Sequence, residues 1–208
     1  MKILLCDDHK IVRDGLVRIL QQLKEITFIG QAGNAEDLLS LLKSERFDIV
    51  LLDISLPGRS GLEVLQTLKQ KWPATNVLML SMHPQEQYAI RALKLGASGY
   101  LTKDAAAEEL LFAVRKVLAG GKYISNSLAE SLALHVATDK YQQKHDILSV
   151  REFEILIKLA NGKTLQEIGN QLYISIKTVS TYRSRIMEKM ELTNNTDLTK
   201  YCIENNLI

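Results

Sequence analysis

Short apolar runs alternate with amphipathic segments through the first 120 residues of the chain. Each run precedes a stretch with apolar side chains at helical spacing, such as Leu16, Ile19 and Leu20 after the first run. Parallel strands need crossover helices, so this alternation predicts an α/β doubly wound five-stranded parallel sheet. The predicted strands are Ile3–Cys6, Thr27–Ala32, Ile49–Leu52, Asn76–Ser81 and Gly99–Leu101.

The pattern changes after Gly121, and residues 149–208 show helical spacing without a strand-like run. We therefore expect two domains, one at residues 1–121 and a small all-α domain at residues 148–208. Residues 122–147 are interpreted as a linker with a short helix, whose apolar face would contain Leu128, Leu132 and Val136.

Composition limits the alternatives. The 208 residues include 26 Lys plus Arg and 24 Asp plus Glu, so any basic surface must be local. Cys6 and Cys202 have no metal-ligand spacing and are expected to be reduced packing residues. No stretch approaches the roughly 20 apolar residues that a membrane span needs. These features predict a soluble cytoplasmic protein without a membrane partner.

Acidic residues stand at the carboxyl ends of two predicted strands. Asp7 and Asp8 follow the first strand and Asp53 follows the third. In doubly wound sheets, ligands bind at this edge. Two carboxylates about 4 Å apart repel by about 4 kcal/mol at an effective dielectric of about 20, so a nearby cation is expected. Mg²⁺ fits, because it binds through carboxylates, phosphate oxygens and water.

Two further strand ends supply a hydroxyl and an ammonium, Ser81 and Lys103, which could contact a negatively charged group. Each residue also has an ordinary structural interpretation. Asp8 could cap the first helix, His9 could be a surface or first-turn residue, and an isolated serine or lysine is usually solvated. The coincidence of these residues at four different strand ends nevertheless favours a site.

On these residues, positions 1 to about 120 resemble the flavodoxin-like receiver domain of two-component response regulators. The resemblance implies that Asp53 is phosphorylated and that Asp7, Asp8 and Asp53 bind Mg²⁺ together with the backbone carbonyl of Ser55. It also implies that Ser81 and Lys103 contact the phosphoryl group and that Tyr100 is the aromatic switch residue. Asp104 departs from the family pattern, because many receivers have a proline in a cis bond after the lysine.

The C-terminal sequence contains a second motif. LSVREFEILIKLANGKT predicts a helix with a Ser149–Glu152 capping box, and LQEIGNQLYIS predicts another. Ser175 then begins a third helix, from Ile176 to about Met190, whose predicted inner face is Ile176, Val179, Ile186 and Met190. Residues 177–189 have a net charge of +3, against +1 for residues 149–208.

The positive charge of the third helix would also be compatible with an ordinary solvated helix. A short helix followed by a longer helix with small polar and basic side chains is, however, typical of a helix-turn-helix, whose second helix enters the major groove of DNA. TVSTYRSRIMEKM, after LSVRE and QEIGNQLYIS, resembles the LuxR-type helix-turn-helix of NarL/FixJ-type regulators. Ser180, Thr181 and Ser184 are candidates for base edges. The other candidate DNA contacts, mainly to phosphates, are Lys177, Thr178, Tyr182, Arg183, Arg185 and Lys189.

Together these features predict a transcription factor, not an enzyme, whose DNA binding and dimerisation are switched by phosphorylation of Asp53. The expected partners are a sensor histidine kinase, promoter DNA and a second copy of the chain. RNA polymerase is a further candidate partner. Two alternatives stay open: DNA binding that is independent of phosphorylation, and a phosphatase that uses Asp53 as its nucleophile.

Overall fold

The structure is a computed structural model that describes residues 1–82, 86–125, 128–130 and 143–208. For residues 86 and 87 it describes the backbone only. The chain divides into two compact units, Met1–Leu132 and Ala133–Ile208. Each unit has its own secondary-structure class, so the two are described separately.

The first unit contains five parallel strands in the order β2-β1-β3-β4-β5. Helices follow the strands in strict alternation, as the sequence pattern predicts. The strands are β1 (Lys2–Cys6), β2 (Phe28–Ala32), β3 (Ile49–Asp53), β4 (Asn76–Ser81) and β5 (Gly99–Thr102). The helices are α1 (Lys10–Leu20), α2 (Ala35–Ser44), α3 (Gly61–Lys71), α4 (Glu86–Lys94) and α5 (Ala107–Leu118).

The core of this unit lies on both faces of the sheet. The side chains of β3 are buried along the whole strand, which explains its continuous apolar sequence. On one face, α1 and α5 pack against alternate strand residues such as Leu5, Leu51 and Leu80. α2 contacts β1 and β2, α3 contacts β3, and α4 contacts β5. A sheet covered in this way leaves its carboxyl edge as the place for a polar site.

The helix starts differ in one respect from the sequence interpretation. α3 begins with a capping box formed by Ser60 and Glu63, and Asn34 caps α2. At α1, however, the N-cap residue is His9, which makes no side-chain capping hydrogen bond. Asp8 is therefore not the cap of α1, and the alternative interpretation of this carboxylate is wrong.

The second unit is helical in its described part. A 3₁₀ turn (Lys144–Ile147) precedes four helices: α6 (Val150–Ala160), α7 (Leu165–Leu172), α8 (Ile176–Met190) and α9 (Asn195–Glu204). α8 packs against α6 and α7, and α9 packs against α6. The predicted capping box at Ser149 and Glu152 is confirmed.

The prediction that Ile176 belongs to the inner face of α8 is wrong. Val179, Ile186 and Met190 are buried as expected, but the side chain of Ile176 is 45% exposed and Met187 is buried instead. Ile176 is the first residue of the helix, whereas Met187 lies one turn before Met190 on the buried side.

The predicted linker lies partly outside the described residues. Residues 128–130 are helical and Leu128 is buried, but Leu132 and Val136 fall outside the described ranges. The domain and linker boundaries therefore stay predictions. None of the helices in the described ranges combines the length and apolar composition that a bilayer crossing requires.

Gly61 allows the start of α3 to pass directly beside the end of β3. A Cβ atom at this position would lie 2.0 Å from the carbonyl oxygen of Asp53. The Gly61 amide also donates to the carbonyl of Ile54 at 2.8 Å, so the backbone has little room to move.

We predict that Gly61→Ala lowers the free energy of unfolding by about 1–3 kcal/mol, the usual range for overpacking. Gly15→Ala is the matched control, because Gly15 lies inside α1 with nothing within 4 Å of its added Cβ. The control should gain about 0.5–1 kcal/mol from helix propensity. Urea unfolding of both variants measures the difference, and equal effects would contradict the close approach.

Candidate functional site

The carboxyl edge of the sheet brings the predicted residues together. Asp53 is the last residue of β3 and Ser81 the last residue of β4. Asp7 follows β1 and Lys103 follows β5. The Lys103 amide donates to the carbonyl of Ser81 at 2.7 Å, which ties the end of β5 to the end of β4. Parallel strands with aligned ends therefore create the cluster.

Lys103 is the central contact of this edge. Its ammonium Nζ lies 2.6 Å from Asp7 Oδ2 and 2.8 Å from Asp53 Oδ2. The three side chains are 3%, 0% and 1% exposed, so the contacts are shielded from water. Two buried carboxylates and one ammonium leave an excess of negative charge before Asp8 is counted.

Burial shapes the acid-base properties of these groups. Burial raises the pKa of the Asp53 carboxyl, although the Lys103 ammonium opposes this effect. Burial lowers the pKa of Lys103, but hydrogen bonds to Asp53 and Asp7 outweigh it, so the pKa is raised overall. Lys103 therefore keeps its proton, and the carboxylate of Asp53 is more basic than that of an exposed aspartate.

The oxygen atoms at this edge suit a divalent cation. Asp7, Asp8, His9 and Asp53 each present one ligand atom, and these atoms lie within 4.8 Å of one another. Asp53 Oδ1 is buried without a hydrogen-bond partner among the described residues. Carboxylate oxygens with unused lone pairs are the donor type that Mg²⁺ prefers. Ser55, whose carbonyl the resemblance assigns to the metal, is exposed two residues beyond Asp53.

Ser81 and Tyr100 are both buried beside the cluster. Burial raises the pKa of Tyr100 to about 12, against a hydrogen bond from Ser81 that lowers it. The hydroxyl that the resemblance assigns to the phosphoryl group is thus already linked to the aromatic residue. The Lys103–Asp104 peptide bond is trans, as are the other bonds in the described ranges.

Sequence reasoning missed one residue at this edge. Arg13, in the first turns of α1, donates from its guanidinium to the backbone carbonyl of Asp7 at 2.5 Å. The His9 amide donates to Asp7 Oδ1 at 2.8 Å, so the strand end is held from both sides. No local motif indicates Arg13, because its contact depends on how α1 packs.

A second candidate surface lies on α8. The predicted DNA-contacting side chains project away from the buried residues Val179, Ile186 and Met190. The exposed residues are Lys177, Thr178, Ser180, Thr181, Ser184, Arg185 and Lys189, whereas Tyr182 and Arg183 are partly exposed. A shallow cavity of about 300 Å³ is lined by Ser175, Lys177, Thr178, Thr181, Tyr182 and Arg185. This surface is polar and cationic.

Two predicted phosphate contacts already have partners within this unit. Lys189 Nζ lies 2.7 Å from Oε2 of Glu152, whose side chain is 4% exposed. Arg183 Nε donates to Asn195 Oδ1 at 2.8 Å. Hydrogen bonds to Lys189 and to Ser149 lower the pKa of Glu152 against the effect of burial. Lys189 therefore joins α8 to the capped start of α6, a role that its charge in the sequence did not indicate.

Comparison with known families agrees with this division of the chain. Residues 3–115 match the response regulator receiver domain. Residues 146–202 match the bacterial regulatory proteins of the luxR family. The first match covers the carboxyl-edge cluster, and the second covers the helices from α6 to most of α9.

Full-length relatives combine both parts. The response regulator GacA of Pseudomonas aeruginosa is 36% identical over 100% of this chain and 98% of its own length. The response regulator UvrY of Escherichia coli K12 is 34% identical over 100% of this chain and 95% of its own length.

Solved structures of response regulators also align with nearly the whole of this chain. RcsB from Salmonella enterica serovar Typhimurium, bound to promoter rprA in the presence of the phosphomimetic BeF3-, is 25% identical with a TM-score of 0.67. The match covers 97% of each chain. The response regulator ChrA of a heme-sensing two-component system is 30% identical over 100% of this chain and 98% of its own, with a TM-score of 0.53.

A parallel receiver sheet with an acidic edge, joined to a helix-turn-helix, defines a DNA-binding response regulator. The chain belongs to the LuxR-type response regulators of two-component systems, which control transcription. The resemblance inferred from the sequence is confirmed.

We predict that Lys103→Met lowers the free energy of unfolding at pH 7 by about 3–5 kcal/mol, because two buried carboxylates lose their counter-ion. Without the ammonium, the pKa of Asp53 in the folded state would rise further above its unfolded value. The deficit should therefore be small at low pH and grow as pH rises above about 4. Urea unfolding at a series of pH values measures it.

Lys2→Met is the control for this prediction. Lys2 pairs with Glu45 at a partly exposed position, where an ion pair contributes about 1 kcal/mol or less. If Lys103→Met lowers the free energy of unfolding by as little as Lys2→Met does, the importance of the buried contact is contradicted. A loss that does not change with pH would contradict it as well.

Proposed function

We propose that a partner histidine kinase phosphorylates Asp53 and thereby switches the binding of this chain to promoter DNA. The observation that carries the proposal is the contact of Lys103 with Asp7 and Asp53 at the carboxyl edge. A buried aspartate with a raised pKa, held by an ammonium, is a suitable oxygen nucleophile. The chain would act as a regulator that accepts the group on its own residue, not as an enzyme with an external substrate.

In the proposed transfer, an Asp53 carboxylate oxygen forms a bond to phosphorus as the bond from phosphorus to the donor breaks. Oδ2 is held by Lys103, whereas Oδ1 has no hydrogen-bond partner among the described residues. Lys103 would then balance charge on the phosphoryl oxygens. Positioning and charge neutralisation supply most of the catalysis in phosphoryl transfer.

Asp7, Asp8 and Asp53, with the carbonyl of Ser55, would hold Mg²⁺. The ion would neutralise charge on the phosphoryl oxygens and the carboxylates. The donor set supports this assignment, because it consists of oxygens in an acidic cluster.

Ser81 and Tyr100 provide a route from the acceptor to the surface of α4, β5 and α5. If the Ser81 hydroxyl turns towards the phosphoryl group, its hydrogen bond to the Tyr100 phenol is lost. Tyr100 lies in β5 next to β4, so a change in its partner alters the packing of that edge.

The DNA-binding part of the proposal depends on α8. Ser180, Thr181 and Ser184 would reach base edges in the major groove, while Lys177, Thr178, Tyr182, Arg183 and Arg185 would contact phosphates. Lys189 would contribute to the phosphate field while it remains bound to Glu152. α9, with Ile203 59% exposed, would pair two copies of the domain on an inverted-repeat site.

The first prediction concerns Asp53. Wild type treated with acetyl phosphate and Mg²⁺ should gain one phosphoryl group, and its affinity for oligonucleotides selected from a random pool should rise. Asp53→Asn should show neither change, because an amide cannot accept the group. Intact mass and DNA binding are measured on the same samples.

Other outcomes separate the alternatives. DNA binding of equal affinity in wild type and Asp53→Asn, before and after acetyl phosphate, would favour a phosphorylation-independent regulator. Repeated turnover of an external phosphoester by wild type, lost in Asp53→Asn, would favour the phosphatase. Exposed Asp14→Asn is the control for a change of charge alone.

The second prediction concerns Arg185. Arg185→Gln should weaken binding about equally across DNA sequences and reduce the salt dependence, d log K/d log[salt], by about 1, as expected for the loss of one phosphate contact. Lys24→Gln is the matched control, since Lys24 is exposed in the first unit, outside the helix-turn-helix. Fluorescence anisotropy at several salt concentrations measures both. An unchanged slope for Arg185→Gln would contradict its role.

A further inference from the structure

A cavity lies at the amino edge of the receiver sheet, opposite the acidic cluster. Its lining includes Asp48, directly before β3, and Asn76, the first residue of β4. The same two strands end at Asp53 and Ser81, at the other edge. The cavity has a volume of about 580 Å³. Small-molecule sites usually have volumes of about 300–1,000 Å³, so a small organic ligand would fit.

Most of the wall of this cavity is apolar. It is formed by side chains from three separate parts of the unit, including Leu42, Phe47, Trp72 and Leu118. The Phe47 side chain is 6% exposed, and its ring lies 6.1 Å from the ring of Phe28, measured between centroids. Two aromatic rings and two leucines thus provide a surface on which an apolar ligand can be shielded from water.

Hydrogen bonds hold the polar part of the wall in place. Asn76 Nδ2 donates to the carbonyl of Asp48 at 3.2 Å, which joins the starts of β3 and β4. The Thr75 amide donates to the carbonyl of Trp72 at 3.0 Å, and Lys69 Nζ donates to the carbonyl of Thr75 at 2.7 Å. The turn between α3 and β4 is therefore ordered before a ligand arrives, which lowers the entropic cost of binding.

The charged residues of the lining differ in whether they already have partners. Glu45 pairs with the ammonium of Lys2, and Asp48 Oδ2 accepts the Lys2 amide at 2.7 Å. The Arg46 guanidinium makes no hydrogen bond or ion pair with the residues that the structure describes, and the same holds for the indole N–H of Trp72. Guanidinium and indole groups only donate, so the unused polar groups of this wall call for an acceptor.

This inventory selects the charge of the ligand. An exposed arginine is usually only solvated, but Arg46 borders an apolar wall that also presents an indole donor. A carboxylate accepts from both groups and can pair with a guanidinium through two parallel hydrogen bonds. A ligand with an ammonium group would be repelled by Arg46, and a hydrocarbon would leave both donors unused.

We propose that this cavity is a binding site for a small organic acid with an apolar body. Its carboxylate pairs with Arg46, and its apolar body packs against Trp72 and Phe47. The site does not depend on the proposed function, because the residues of its lining take no part in phosphoryl transfer or in DNA contacts.

The test uses the full chain with 3-phenylpropionate as the probe. Trp72 is the only tryptophan of the chain, so its fluorescence reports on this cavity directly. The acid should change the Trp72 emission in a saturable way, with a Kd on the order of 1 mM for so small a ligand. The uncharged 3-phenylpropanamide, which has the same shape, should bind about 10-fold more weakly, because it lacks the charge-assisted hydrogen bonds.

Two matched variants separate the role of Arg46 from a general change of charge. Arg46→Gln should weaken binding of the acid about 10-fold and leave binding of the amide unchanged. Lys43→Gln is the control, because Lys43 is exposed on α2 and does not line the cavity, and it should bind the acid like wild type. Equal affinity of wild type and Arg46→Gln for the acid would overturn the proposal, as would equal affinity for acid and amide or no saturable change in emission.

Two further variants exclude the other cationic sites of the chain. Asp53→Asn and Arg185→Gln should both bind the acid like wild type, since they alter the carboxyl edge and the α8 cavity respectively. A loss of binding in either would overturn the proposed site. Binding that depends on Arg46, in a chain whose Asp53 accepts no phosphoryl group, would support this site and contradict only the proposed function.

Discussion

The ammonium of Lys103 between Asp7 and Asp53 is the contact on which the receiver unit depends most. All three side chains are almost fully buried, so each charge would be costly without the others. The contact also joins the ends of β1, β3 and β5, which do not all neighbour one another in the sheet. The side chains of Asp7, Asp53 and Lys103 therefore stabilise the fold and also form the candidate site.

That constraint follows from the strand order. The change of direction along a 2-1-3-4-5 sheet lies between β1 and β3, where Asp7 follows the last residue of β1 and Asp53 is the last residue of β3. Gly61 lets α3 start against the carbonyl of Asp53, which keeps the following loop close to the edge. The side chains of β3 are buried along the whole strand, so the backbone that carries Asp53 is packed on both faces of the sheet.

The helical unit uses a buried carboxylate in a comparable way. Glu152 accepts the Ser149 amide in the capping box and also contacts the ammonium of Lys189. One side chain thus joins the start of α6 to the last turn of α8. The contact of Glu152 with Lys189 therefore helps to orient α8, whose polar surface stays exposed.

The sequence by itself determined the two-part organisation, the five strands with their crossover helices, and the residues at the strand ends. These follow from periodicity, turn chemistry and motif spacing, which are local properties of the chain. Tertiary structure alone decided that Lys103 bridges Asp7 and Asp53, that Arg13 holds the carbonyl of Asp7, and that Lys189 binds Glu152. It also exposed Ile176, at the first position of α8. Such contacts join residues that are distant in the chain or depend on how helices pack, and no local pattern encodes those distances.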